Sequence, residues 1–348
     1  MELNLPTSRE ILKLVAHIDR FRGAWSMEAS LPPDRLARLR EAAKVQSVAS
    51  SCRLIGIRIS DTEAAALLRG ESPLLREGDA ILGYANALDT TFPRGGALVT
   101  PAEIARLNAI VEGASPDHAD PSPWRHEPIH LEAFDAEGHA LGRVFQTLPP
   151  RLIEDKLDSA CTWLELELRS GEHHPLLVIA AFYLVFVNIA PFTGGNTRTA
   201  RALASHLLRR AGYGYVSFGS LERAMEESRE AYYDGLDASS TRLWTGEADL
   251  EPWTLSFLQM LRIHVDRIAA KLDLERRALD LPPLQRQILE TVRDHGTARA
   301  GLLLASTGTN RNTLKDNLRR MVDRGLIERV GRSKGAFYRI ATGEPATN

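Results

Sequence analysis

The chain is short of cysteine. Cys52 and Cys161 are the two it has in 348 residues. They make neither a metal-ligand spacing nor a disulfide framework, so a reducing, cytoplasmic setting is the expectation. Aromatic residues are sparse, at 6%, and the chain is rich instead in Ala, Leu, Arg and Glu, a mostly helical composition. No apolar run reaches the roughly 20 residues that a bilayer crossing takes. The most apolar stretch, Leu176–Ala190, contains Asn188 and reads as a buried core helix, so no membrane partner is expected. The start, Met1-Glu2-Leu3-Asn4, lacks the basic-then-apolar pattern of a signal peptide. Repeats and low-complexity tracts are missing too. Net charge is only -2, which excludes a polycation built as a whole for nucleic acid. With 44% hydrophobic and 25% charged residues the chain is an ordinary globular one, of a length for two or three domains.

What is present is a succession of helix signals. Residues 33–46 open with Pro and Asp, as helix starts do. Ser60-Asp61-Thr62-Glu63 is a capping box, which gives Asp61 and Glu63 a capping role. Thr100 precedes Pro101 at a first helical position, predicting a helix to about Val111. Four prolines make 114–128 a loop. Ile129–Leu131 and Arg143–Thr147 flank Asp135-Ala-Glu-Gly138 and predict a β-hairpin. Further helices are predicted over about 150–169, 197–211, 220–237 and 252–277.

Leu281-Pro282-Pro283 reads as a linker. Beyond it the pattern is helix (284–294), short helix (300–306), turn, helix (310–324), strand (326–330), Gly-rich turn (331–335) and strand (336–340): a helix-turn-helix with a two-stranded wing. Residues 281–348 hold twelve basic and six acidic side chains, a net +6 that leaves -8 on the rest. Such asymmetry is the footprint of a nucleic-acid module on an acidic body. Asn310, Arg311, Asn312, Lys315 and Arg319 fall on the recognition helix, where base edges are met. Arg332 and Lys334 tip the wing, within reach of phosphate. Double-stranded DNA is the expected partner. Small modules of this kind also dock proteins, and that alternative stays open.

The most distinctive segment is 190–201, Ala-Pro-Phe-Thr-Gly-Gly-Asn-Thr-Arg-Thr-Ala-Arg. Gly194, Gly195 and Asn196 lead straight into a helix. A glycine-rich turn there presents free amides and favours an anion. Arg198 and Arg201, three apart, share a helix face beside it. Two readings stay open on spacing alone: a cradle for a di- or triphosphate, or a structural turn whose arginines are solvated or paired with glutamate. Other candidates are weaker. His173 and His174 are adjacent and point apart. His118, His126, His130 and His139 make no zinc spacing. Cys52 has no nearby histidine and reads as an inert thiol. Trp124 and Arg125 read as packing. No metal site is expected.

Segment 190–201 resembles the motif of the Fic (Fido) family, H-P-F-x-[D/E]-G-N-G-R-x-x-R, keeping Pro191, Phe192, Gly195, Asn196, Arg198 and Arg201. Leu82–Leu88, the hairpin with Pro149-Pro150, His174-Pro175 and Glu227–Tyr233 are similar as well, and the resemblance covers about 30–280. It implies a mainly α fold with a helical core and a β-hairpin flap that aligns a target protein by strand addition. Attached winged helices are common in the family. The divisions expected are an N-terminal helical region (1–95), the core (96–278), a winged helix (279–342) and a tail (343–348). The usual activity is transfer of AMP from ATP to a protein hydroxyl, with magnesium.

Against that pattern stand four departures. The motif histidine, the general base, is Ala190. The acidic position that holds magnesium is Gly194, so the magnesium site is expected to be lost. The second loop glycine is Thr197, whose Cβ stands against close phosphate approach or a positive φ. In the inhibitory motif [S/T]-x-x-x-E-[G/N], Ser51 and Gly56 remain but Ile55 replaces the glutamate, so the glutamate tether that would clamp Arg201 is expected to be missing. A positioned base is worth about 10²–10⁴ in rate. Together the changes imply a pseudoenzyme and regulator, with Gly195, Asn196, Arg198 and Arg201 left to hold ATP, another nucleotide or an anion. A transferase with a relocated base and an interaction scaffold are the alternatives. A homodimer is expected, as a two-fold DNA site would require.

Overall fold

The computed structural model describes residues 3–28, 31–71, 78–93, 98–331 and 336–341. The fold is mainly helical, and it divides into two compact units, Met1–Asp266 and Arg267–Asn348. Each is taken by itself. Arg332, Lys334 and the tail 343–348 lie outside the described residues.

In chain order the first unit holds α1 (Arg9–Glu28), α2 (Pro33–Arg53), α3 (Asp61–Leu68), α4 (Gly78–Asp89) and α5 (Pro101–Val111). The hairpin β1 (His130–Phe134) and β2 (Ala140–Gln146) follows. Then come α6 (Ile153–Ser170), α7 (Pro175–Ile189), α8 (Asn196–Arg210), α9 (Leu221–Glu227) and α10 (Arg229–Ser240). Helix α11 (Glu251–Leu279) follows.

The local signals act as read. At α3 the Ser60 hydroxyl accepts from the Glu63 amide at 3.1 Å and the Glu63 carboxylate accepts from the Ser60 amide at 2.8 Å, a complete capping box. Thr100 caps α5 through the Glu103 amide at 3.2 Å. Every residue of α7 from Leu176 to Ile189 is buried, as a helix apolar on all sides must be, and it packs against α6 and α8. Trp253 of α11 donates its indole N–H to the Ala180 carbonyl at 2.7 Å.

Several boundaries differ from the sequence reading; the helix opening at Pro33, for one, continues to Arg53. The helix expected over 220–237 is two, because the backbone leaves the helical region at Ser228 (φ -101°, ψ 32°). Residues Pro150–Leu152 are a 3-10 turn ahead of α6. Leu281, read as linker, is buried in the core of the second unit.

That second unit comprises α12 (Pro283–His295), β3 (Thr297–Arg299), α13 (Ala300–Thr307), α14 (Arg311–Asp323), β4 (Ile327–Val330) and β5 (Phe337–Ile340). Its sheet has three strands in the order β3-β5-β4, both pairs antiparallel. Three-residue β3 is too short to show a period-2 pattern, so the sequence suggests only two strands. Leu303, Leu314, Leu318 and Met321 join Ile288 and Val292 in its core. Among the described residues no helix is long and apolar enough to cross a membrane.

Candidate functional site

The segment between α7 and α8 is a turn held from several sides. Helix α7 ends at Ala190 with φ +42°, a left-handed conformation that costs a residue with a Cβ about 1–2 kcal/mol. Arg125 holds it there. Its guanidinium donates to the carbonyls of Ala190 (2.7 Å), Ile189 (3.1 Å), Leu148 (2.5 Å) and Glu127 (2.8 Å) and to the Thr147 hydroxyl (3.2 Å). Those bonds tie the end of α7 to the base of the hairpin. Packing alone, the role read from sequence, understates this residue.

Farther along, Asn196 closes the loop by donating to the Phe192 carbonyl at 2.7 Å and accepting from the Phe192 amide at 3.0 Å. Asn108 of α5 donates to the Gly194 carbonyl at 3.1 Å and to the Thr199 hydroxyl at 3.0 Å. Gly195, at φ +73°, precedes α8 and contributes no side-chain cap. The amides of Asn196, Thr197 and Arg198 therefore start the helix without intrahelical partners. Thr197 lies within α8 and is not among the residues of positive φ, so that part of its expected obstruction does not arise.

Beside the turn is a cavity of about 410 Å³. Thr193–Thr197, Ala190 and Arg201 form one side. Ile55, Ile129, Val187 and Phe134 make an apolar wall, and Tyr232 and Tyr233 complete it. The hairpin contributes His130 and Glu132, whose side chains are 3.4 Å apart. The size suits a small ligand.

The two motif arginines part company. Arg198 is 6% exposed. It donates to the Ala80 and Val111 carbonyls, both at 3.0 Å, and to the Glu112 carboxylate at 2.5 Å. Burial lowers its pKa and Glu112 offsets that. It is not among the residues lining the cavity. Arg201, 2% exposed, does line it. Its Nε donates to the Ser51 hydroxyl and one Nη to the Ser51 carbonyl, both at 3.0 Å. Ser51, four residues before Ile55, thus holds Arg201 through its own hydroxyl and carbonyl. Burial works against the charge of Arg201, but Tyr183, Tyr232, Tyr84 and Glu222 outweigh it and raise the pKa. Gly56 (φ +83°) leaves room for the Phe134 ring, which an added Cβ would meet at 2.8 Å.

Gly194 matters for the metal. An added Cβ there would stand 2.8 Å from Glu112 Oε2. Glu112 sits just past the last residue of α5, so a carboxylate from another element has closed on the glycine turn. It is paired with Arg198 and is not among the cavity-lining residues. These residues do not fit a magnesium-bound triphosphate: the motif position has no carboxylate, and the neighbouring one is engaged elsewhere. Nothing at the sequence level points to Glu112.

The remaining candidates fall into place. His174 caps α7, accepting from the Leu176 amide at 3.3 Å, and pairs with Asp19 at 2.9 Å; His173 pairs with Glu167. Burial pushes the Cys52 thiol up to about 11, which keeps it protonated and inert. In the second unit Asn310 caps α14, accepting from the Thr313 amide at 2.9 Å. Arg311, Asn312, Lys315 and Arg319 are exposed, while Leu314, Leu318 and Met321 face the core. Asp316 is exposed among the basic residues.

Comparison with known proteins places this geometry. Residues 99–208 match the model of the Fic/DOC family. The protein adenylyltransferase Fic of Culex quinquefasciatus is 35% identical over 91 residues, which span 26% of this chain and 16% of that relative. Among solved structures, a Fic family protein from Desulfovibrio desulfuricans G20 superposes with a TM-score of 0.62 at 20% identity, over 100% of both chains. A Fic domain containing signaling protein from Bacteroides thetaiotaomicron gives 0.58 at 20% identity, over 74% of this chain and 96% of its own. Over residues 99–208, then, the chain is similar to the Fic/DOC family, and it shares the fold of solved Fic proteins.

Proposed function

We propose that this Fic-domain protein has lost AMP transfer and works as a DNA-binding regulator, its second unit a winged helix that takes the major groove through α14. The observation that carries the reading is the one-sided helix α14. Arg311, Lys315 and Arg319 recur every four residues on its exposed side and so form one row, while the opposite face is locked in the core. The loss of transfer rests on Ala190 and Gly194, which remove the base and the metal carboxylate together.

The cavity remains, with its glycine turn, open helix start and Arg201. It would serve as an effector site for a nucleotide or a smaller anion bound without metal. Homodimers would read a two-fold operator. The test is titration of duplex DNA with the full chain over a range of salt. Binding that weakens steeply with salt, and that Lys315→Ala and Arg319→Ala reduce, is the result expected; no binding at low salt overturns the reading.

A second reading has its own observation. His130 and Glu132 of β1 line the cavity, so a proton acceptor could be supplied by the hairpin in place of the motif histidine. Incubation with labelled ATP and magnesium separates the two. Label on protein that disappears with Arg201→Ala would make the chain a transferase.

A further inference from the structure

A second cavity, of about 350 Å³, lies among α2, α4, α8 and the 3-10 turn Gly214–Phe218. Its described lining includes three cations, Arg40, Lys44 and Arg209, against one carboxylate, Asp89. Ser47, Ser205 and Ser217 add hydroxyls. This concentration of positive charge is unexpected in a chain whose first 280 residues sum to -8.

The charges are only partly met. Lys44 pairs with Asp89, whose side chain is 62% exposed. Arg40 lies over the Phe218 ring at 5.1 Å, a contact that leaves its charge unneutralised. Arg209 donates to the Leu88 carbonyl at 3.2 Å and meets His206 Nδ1. His206 supplies no anion either: burial, with Arg209 next to it, pushes its pKa down to about 3, so it stays neutral. Arg209 itself is shifted down by burial, with Asp89 opposing and Arg40 adding to the shift. A partly buried guanidinium short of counter-charge favours an anion that supplies it.

We infer that this cavity binds a small phosphate-bearing ligand, free phosphate or a small phosphate ester, through Arg40, Lys44 and Arg209. The lining carries a net charge of two, which matches a dianionic phosphoryl group, and the serines add hydrogen-bond donors. The volume leaves room for an organic portion. The placement has a consequence for the motif. On α2, Arg40, Lys44, Ser47 and Ser51 recur at helical spacing, and on α8 so do Arg201, Ser205 and Arg209. An occupant would thus join the two helices that the Ser51–Arg201 bonds already join, about 12 Å farther along α8.

Calorimetric titration of the full chain with inorganic phosphate, and separately with ribose 5-phosphate, tests this. Saturable binding to either supports the site, and the tighter of the two identifies free ion or ester. Arg40→Ala and Lys44→Ala should each weaken it about tenfold. Asp89→Asn should tighten it, a change of sign that a structural role for these residues would not produce. Asn196→Ala, at the glycine turn, should leave it unchanged. No saturable heat up to about 20 mM, equal affinity in the Arg40 and Lys44 variants, or loss of binding with Asn196→Ala overturns the inference.

Discussion

Ser51 holds Arg201 by two hydrogen bonds of 3.0 Å, one to its hydroxyl and one to its carbonyl. A serine on α2 thus engages the last arginine of the segment 190–201 across 150 residues of chain. Arg201 is 2% exposed, and an acceptor lost to a buried charged group is costly. Ser51→Ala should therefore destabilise the fold by about 1–3 kcal/mol, read from denaturant midpoints, while Ser51→Thr, which keeps the hydroxyl, should recover most of the loss. An effect within 0.3 kcal/mol would mean that the bond contributes nothing.

Glu112 and Gly194 form one device. Removing the carboxylate leaves Arg198, with 8% of its side chain exposed, short of its counter-ion. Glu112→Ala is expected to cost about 1–3 kcal/mol, with Glu112→Gln intermediate. Rebuilding the motif acid as Gly194→Glu should also destabilise, since its Cβ would meet Glu112 Oε2 at 2.8 Å and displace it. Thermal melts of the three variants, and of Gly194→Glu combined with Glu112→Ala, check this: the double variant should lose less than the two single losses combined.

The pH dependence should carry a signature of His206. Its folded pKa of about 3 lies below the ordinary 6.5, so between those values the unfolded chain binds a proton that the folded chain refuses. Stability from this residue is complete above about pH 6.5 and falls as the pH drops, by up to about 1.4 kcal/mol per unit. Unfolding free energies from urea titrations at pH 7 and pH 5 should differ by about 2 kcal/mol more in the wild type than in His206→Gln.

For the proposed DNA contact, each of Lys315→Ala and Arg319→Ala should reduce the slope of log affinity against log salt by about one, with similar losses on every sequence tested. Asn312→Ala should instead relax preference among operators. An unchanged slope in both cation variants would argue for protein docking by this unit.

Much of the architecture was legible because it is local. The capping box at Ser60 and Glu63, the Thr100-Pro101 start, the all-apolar α7 and the turn 190–196 each put cause and effect within a few residues. The family motif is local in the same way. The break at Ser228 and strand β3 were not legible: neither has a pattern long enough to register, and β3 exists only because β5 supplies its hydrogen bonds.

By itself the sequence determined a helical chain with a hairpin, a Fic-type loop without its histidine and carboxylate, and a basic C-terminal segment. Only the tertiary structure decided what the two motif arginines do. Arg198 meets Glu112 across 86 residues of chain, Arg201 meets Ser51 across 150, and Arg125 reaches Ala190 across 65. Helical periodicity relates residues within one element, whereas the partner of a buried charge is chosen by which elements pack beside it.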